Sequence, residues 1–402
     1  MSDFFQNGVI GTLHRLGQEP LERLETRLVE HAETAPIALV LPCLVTELHG
    51  PALPRIVQQL SKVTYLNEIV VALDRADRWG FAEAREFFAS LGPRCRILWI
   101  EGPEVQDCIR LLSDSGLDIG TAGKGRATWL SLGYVLARET SRIIALHDAD
   151  ILTYDRNLLA RLCYPLADPT LGYEYAKGYY SRVTDRMHGR VVRLFVTPLV
   201  RALTQLVGHV PLLDYMDSFR YPLAGEFAMY ADLARSVRIP GDWGLEVGML
   251  YEVYRNTSVR RVCQVDVAEN YDHKHQALSL DDASTGLNRM ARDIAKTLLR
   301  ALAMEGVIFG AGFYTTLRIA YLRIAQDTVK VYDDDATLNG LAFDRHAETA
   351  AIEMFVRALR RASDEFEADP MAYVGLPNWN RITSAIPDFL ERYRDAVDSQ
   401  LD

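Results

Sequence analysis

Cysteine is scarce. Cys43, Cys95, Cys108, Cys163 and Cys263 are an odd five among 402 residues, scattered and never in a C-x-x-C pair. That spacing argues against a disulfide framework and predicts buried thiols in a reducing cytoplasm. Long apolar runs are missing too. The first residues, MSDFFQNGVIGTLHRLGQEP, have neither the basic nor the apolar region of a signal peptide, and no stretch is apolar for long enough to span a bilayer, so a soluble, cytoplasmic protein is expected. The longest uncharged run near the end, Gly306 to Leu317, is expected to be a core helix. Basic residues are outnumbered: Lys plus Arg is 44 against 54 Asp plus Glu, a formal net charge of -10. A broad surface that tracks phosphates is therefore excluded, and nucleic acid is a poor partner. An anionic small molecule would need a local cluster of cations or a metal ion. No G-x-S-x-G elbow, H-E-x-x-H helix or Walker A loop is present, and there is no internal repeat.

What remains is an ordinary globular composition, 49% hydrophobic and 24% charged, long enough for two or three domains or one large α/β domain with helical additions. The opening third alternates strand and helix patterns. IALVLPCL, NEIVVALD, RCRILWIEG and SRIIALHDAD read as four strands, with amphipathic segments between them, so a mainly parallel sheet is expected. Ligands gather at the carboxyl ends of such strands. Residues 171–272 mix aromatics, glycines and charges, which suits either a loop-built pocket or an irregular α+β half. From about Thr285 the pattern is helical. Near the start, Leu21, Leu24 and Leu28 share one face of an amphipathic helix that packs on the body or on a second subunit.

The motif richest in chemistry is His147-Asp148-Ala149-Asp150, directly after an apolar strand. Two carboxylates at a strand end can face one Mg²⁺ or Mn²⁺ ion together with the diphosphate of a nucleotide, although acids at strand ends also serve as caps. Gly123-Lys124-Gly125-Arg126 precedes a helix. Its glycines let backbone approach a phosphate and Lys124 meets the charge, unless the segment is a solvated turn. Asp272-His273-Lys274-His275 offers an imidazole to such a metal, or two exposed histidines. Gly225-Glu226 and Gly244-Leu245-Glu246, beside Phe227 and Trp243, suit sugar hydroxyls and a sugar's C–H face. A helix amino terminus would account for the same acids.

In that order, LPCLVTE, ALD, GKG, HDAD, PLAGE, GLEVG and DHKH resemble the glucosyl-3-phosphoglycerate synthases and their mannosyl and glucosylglycerate relatives, which are retaining glycosyltransferases of the GT-A fold. The likeness runs from about Pro36 to Leu280. It implies a Rossmann-like α/β catalytic domain at 35–284, flanked by an N-terminal helical extension at 1–34 and a helical C-terminal region at 285–402. It implies a donor, UDP-glucose or GDP-mannose, and a small three-carbon acid as acceptor. Pro42, Leu44 and Glu47 would line the nucleoside pocket, with Asp74 near the base, Lys124 near the nucleotide and Asp148 on the ribose. Asp150 and His273 would hold Mg²⁺ or Mn²⁺. Glu246 would take hydroxyls of the transferred sugar with Gly225 and Glu226 close by, so Glu246, Asp150 and Glu226 are the expected catalytic residues. Gly189, Arg190 and His275 would bind the acceptor. A homodimer is also implied.

The chain departs from the family where the acceptor loop reads Val192 and Arg193 in place of Thr and Glu, and where Tyr271 and His275 replace Arg and Asn. Val192 cannot supply a hydroxyl to a phosphate. If Arg193 points into solvent, glycerate should serve at least as well as 3-phosphoglycerate. With no evident nucleophile, retention means attack on the face from which the nucleotide leaves; the bare residues also allow inversion with Glu246 or Glu226 as base. Two other classes share parts of this pattern. A sugar-phosphate nucleotidyltransferase should carry a glycine-rich basic loop after its first strand, and LPCLVTE is neither. A silent nucleotide-sugar-binding protein would bind donor without transfer.

Overall fold

A computed structural model describes residues 4–17, 20–273, 286–371 and 375–401. Its eight strands are β1 (Gly11–Leu13), β2 (Ile37–Leu44), β3 (Leu66–Asp74), β4 (Cys95–Trp99), β5 (Ile143–Leu146), β6 (Tyr175–Tyr180), β7 (Phe227–Tyr230) and β8 (Val262–Ala268). They form one sheet in the order β1-β8-β6-β7-β5-β2-β3-β4. Every neighbouring pair is parallel except those made by β7, which runs against both β5 and β6. The four strands expected in the opening third are β2 to β5. Residues 37–41 of β2 are all buried, as an apolar strand covered on both faces requires.

Topology places the site. The chain steps outward from β2 through β3 to β4, then returns to lay β5 on the other side of β2. Crossovers on the two sides of that point leave a crevice at the carboxyl ends of β2 and β5. The helix Lys124–Arg138 enters there and is buried along most of its length.

The flanking segments do more than the sequence suggested. Residues before 34 include the edge strand β1 as well as the helix Leu21–Ala32, which packs on the helix Arg156–Ala167 and ties to it through Arg156 and Glu25 at 2.9 Å. In the C-terminal region the helices Gly286–Met304, Phe313–Leu338 and Arg345–Ala368 pack on one another and on the helices Thr197–Val207 and Leu245–Asn256. The pattern around Pro387 splits into Trp379–Ala385 and Phe389–Ser399, because proline cannot continue a helix interior. Trp379 stacks on Trp129 with ring centroids 4.0 Å apart, and Tyr393 donates to the carbonyl of Leu130. Gly306 to Leu317 is not a core helix from its start. Gly306 and Gly312 have left-handed φ of 88° and 80°, Ile308 is 91% exposed, and the helix begins only at Phe313.

Candidate functional site

The residues expected to meet the donor line up along the crevice. Pro42 and Leu44 lie at the end of β2, Glu47 sits on the 3₁₀ turn Val45–His49 that follows, and buried Asp74 ends β3 in register with Leu44. Lys124 is the first residue of its helix, where the backbone N–H groups of the first turn point outward and favour an anion. Its Nζ bridges two acids, Asp148 Oδ1 at 2.7 Å and Glu246 Oε1 at 3.2 Å. Burial works against charge on Lys124, but Asp148 and then Glu246 outweigh it and raise its pKa. Burial likewise opposes ionisation of Asp148, and Lys124 overrides it, so that carboxylate stays below its ordinary value.

Two glycines permit this closeness. A Cβ on Gly225 would stand 2.6 Å from Asp148 Oδ2, and one on Gly125 would collide with the backbone of Pro240 and Gly241. Glu246 opens the helix Leu245–Asn256, and its carboxylate remains 17% exposed toward Lys124.

Glu226 is fully buried. Its Oε2 accepts from Tyr180 at 2.7 Å and its Oε1 from Tyr271 at 2.5 Å, and those two rings stack 3.8 Å apart. Burial, then the nearby Asp148 charge, raises its pKa against the pull of the two hydroxyls and Lys124. Both oxygens are thus occupied, and Glu226 is better placed to order the two tyrosines than to take a proton from a substrate. Tyr271, the departure from the family's arginine, completes this stack. His147 is also fully buried, with Nδ1 3.0 Å from the Asp148 carbonyl; burial lowers its pKa to about 4.

Asp150 and His273 are brought together by a short bridge between Ile151 and His273. Asp150 Oδ2 lies 3.7 Å from His273 Nδ1, and both side chains are about a quarter exposed. That gap is too long for a hydrogen bond and near the ~3 Å span of two ligands bound about 2.1 Å from one small divalent ion. Among the described residues no group of three or more His, Cys, Asp or Glu is set to hold a metal. The pair therefore fits an ion that draws its other ligands from diphosphate oxygens and water, as Mg²⁺ and Mn²⁺ do. His275 lies outside the described residues.

In the segment expected to bind the acceptor, Gly189 takes a left-handed φ of 75° against Tyr221, and Val191–Val196 forms a π-helical turn. Arg190 Nε donates to Glu348 Oε1 at 2.6 Å and Arg193 Nη2 to Glu348 Oε2 at 3.1 Å. Arg193 does not point into solvent. It is 9% exposed, donates from Nε to the carbonyl of His188, and lies 4.8 Å from the Tyr332 ring centroid. Val192 is buried as well.

Sequence reading missed Glu348, which arrives from the C-terminal region and carries no motif. It also missed Lys177, a fully buried lysine in the strand YAKGYY. A charge inside an otherwise aromatic and apolar strand was the available signal.

A mostly parallel sheet with acids, a lysine and a carboxylate–imidazole pair at its carboxyl edge is the arrangement expected of a GT-A glycosyltransferase. No family model matches the chain. The glucosyl-3-phosphoglycerate synthase of Persephonella marina is 46% identical over 398 residues, 99% of this chain and 98% of that one. That of Methanococcoides burtonii is 38% identical, over 98% of this chain and 97% of its own. The chain belongs to the glucosyl-3-phosphoglycerate synthase family. The fold agrees with two more distant solved structures. The mannosyl-3-phosphoglycerate synthase of Rubrobacter xylanophilus has a TM-score of 0.55 at 23% identity, covering 75% of this chain and 83% of that one. The Mycobacterium tuberculosis glucosyl-3-phosphoglycerate synthase, solved with Mn²⁺, UDP and glucosyl-3-phosphoglycerate, has a TM-score of 0.53 at 22% identity, covering 73% and 88%.

Proposed function

We propose that the protein transfers glucose from UDP-glucose to 3-phosphoglycerate with retention and needs a divalent cation. The observation that carries this reading is the full-length 46% identity to a synthase of that name. The donor would lie in the crevice between β2 and β5, with the nucleoside against Pro42, Leu44, Glu47 and Asp74 and the ribose on Asp148. Asp150 and His273 would hold Mg²⁺ or Mn²⁺, which supplies Lewis-acid neutralisation of charge on the departing diphosphate. Lys124 adds a fixed cation and keeps Asp148 and Glu246 in place. Glu246 accepts from hydroxyls of the sugar.

Retention on one face is supported by the occupation of the acids. Both oxygens of Glu226 are taken up by two tyrosines, and Glu246, held by Lys124 through Oε1, is given by this reading to sugar hydroxyls, so neither serves as base from the opposite side. In same-face transfer the departing phosphate oxygen takes the acceptor's hydroxyl proton, and no carboxylate base is needed. Arg190 keeps its terminal nitrogens for the acceptor while Nε rests on Glu348; a guanidinium fork suits carboxylate and phosphate alike. The case for glycerate rested on the hydroxyl that Val192 lacks, weighed against an Arg193 turned to solvent. With Arg193 buried and positive charge retained beside Arg190, 3-phosphoglycerate is the preferred acceptor.

A donor-by-acceptor panel tests this, with UDP-glucose and GDP-mannose against 3-phosphoglycerate and glycerate, and with the anomeric coupling of the product read by NMR. UDP-glucose with 3-phosphoglycerate should be fastest and give the α-glucoside. Donor binding with no transfer, a β product, or glycerate preferred would overturn it.

The catalytic unit is taken as 35–284, with 1–34 and 285–402 packed on it. A cytoplasmic location is supported by five cysteines that are all unpaired; no helix of the described residues is long and apolar enough to cross a membrane. A homodimer is supported by exposed Ile319, Val331 and Leu338 on one helix. A 45 kDa species in light scattering at micromolar concentration would exclude it.

A further inference from the structure

Lys177 lies in β6 between Phe227 of β7 and Gln264 of β8 and is 1% exposed. Its Nζ stands 6.0 Å from the centroid of the Phe227 ring and has no hydrogen-bond partner. The hydroxyls of Tyr175, two residues earlier on the same sheet face, and of Tyr215 are likewise buried without partners. The charges that act on Lys177 are those of the site, with Glu246 first, then Glu226, Lys124 and Asp148; Glu246 also acts on Tyr175. Lys177 and Tyr175, side by side on one sheet face and both without partners, thus lie within reach of the Glu246 charge. A buried ammonium without a partner is among the most costly groups a fold can carry, and a partner that arrives with the substrate removes the conflict.

We propose that Lys177 is a contact of the transferred sugar and helps set donor specificity: its ammonium donates to one hydroxyl of the hexose while Glu246 accepts from another. The chemistry is complementary, since an ammonium has only donors and a carboxylate only acceptors, whereas a diol offers both. A hydroxyl suits Lys177 better than a phosphate does. Burial lowers its pKa to about 8, with Glu246 only partly opposing, and the full charge a phosphate wants is already supplied by Lys124. The inference rests on the reading that Glu246 faces the sugar.

The test is calorimetry with UDP and with UDP-glucose, each with Mn²⁺, on wild type, Lys177→Met and Glu246→Gln. Lys177→Met should bind UDP within twofold of wild type and UDP-glucose at least tenfold more weakly. One monodeoxy UDP-glucose, lacking the hydroxyl that Lys177 meets, should bind Lys177→Met and wild type equally. A merely structural lysine would show neither effect, and unchanged UDP-glucose binding, or equal loss of both ligands, overturns the proposal. If Glu246→Gln discriminates between the ligands and Lys177→Met does not, this inference alone fails. If Glu246→Gln weakens UDP as much as UDP-glucose, the placement of the sugar is wrong as well. Lys177→Met should melt no lower than wild type; should it fail to fold, Lys177→Leu, which likewise removes the donor, carries the same comparison.

Discussion

Glu348→Gln separates what the C-terminal region does for the fold from what it does for the acceptor. The carboxylate of Glu348 is 5% exposed and holds Arg190 Nε at 2.6 Å and Arg193 Nη2 at 3.1 Å. An amide of the same shape leaves two guanidinium groups without a counter-charge. Removing one member of a buried charged pair costs about 3–5 kcal/mol. Arg190 is 32% exposed and can turn toward water, whereas Arg193 at 10% cannot, so the low end, roughly 3 kcal/mol, is expected from urea unfolding. Arg190 also loses the bond that aims it. One charge-assisted hydrogen bond is worth on the order of 1.5 kcal/mol, so KM for 3-phosphoglycerate should rise about tenfold with KM for UDP-glucose unchanged. Adding Arg193→Met removes the stranded buried charge and should restore most of the stability while the acceptor KM stays high. A single variant with native stability and native acceptor KM would refute the reasoning.

Asp150→Ala and His273→Ala should each abolish activity with Mg²⁺ or Mn²⁺ and weaken UDP binding only when metal is present, read by calorimetry with and without EDTA; EDTA-resistant activity in wild type would sink the metal site. Gly225→Ala forces a methyl to within 2.6 Å of Asp148 Oδ2; displacing that carboxylate by about an ångström should lower kcat/KM by roughly 10²-fold, measured beside circular dichroism to confirm the fold. Because His147 is held neutral, with its pKa lowered from 6.5 to about 4 by burial, the unfolded chain gains a proton below pH 6.5 that the folded one refuses until near pH 4. Stability should therefore fall by about 2 kcal/mol between pH 7 and pH 5 on this account, and His147→Gln should flatten that part of the urea-unfolding profile.

The parallel half of the sheet was legible because each of β2 to β5 is an apolar run between turn residues, and a two-faced buried strand has little freedom to be anything else. The clustering of acids and lysine at the crevice was legible for a related reason: several of these groups sit within a few residues of strand ends. Asp148, Lys124, Gly225 and Glu246 do converge. Contacts between distant segments were not legible. Glu348 lies 158 residues from Arg190, and nothing in RHAETAAIEMF distinguishes it from any solvated helix acid. The environment of Arg193 was misjudged on the same account, since a guanidinium's surroundings depend on what packs over it. Glu226 read as a sugar-binding acid because its neighbours in sequence are Gly225 and Phe227, while the tyrosines that occupy it come from β6 and the segment after β8.

The stacked Trp129–Trp379 pair has a consequence for biosynthesis. The helix Lys124–Arg138 is covered partly by residues that are made more than two hundred positions later, and Trp379 fills the space above Gly133 where no side chain could stand. At ribosomal speeds of about 5–20 residues per second the nascent chain spends on the order of ten seconds with its sheet translated and the face of Trp129 uncovered. During that interval the emerging polypeptide presents an aromatic, greasy stripe to the cytosol and to chaperones. Ribosomes stalled before residue 379 should release chains that are captured or degraded, even though every side chain proposed to meet the donor has already been made.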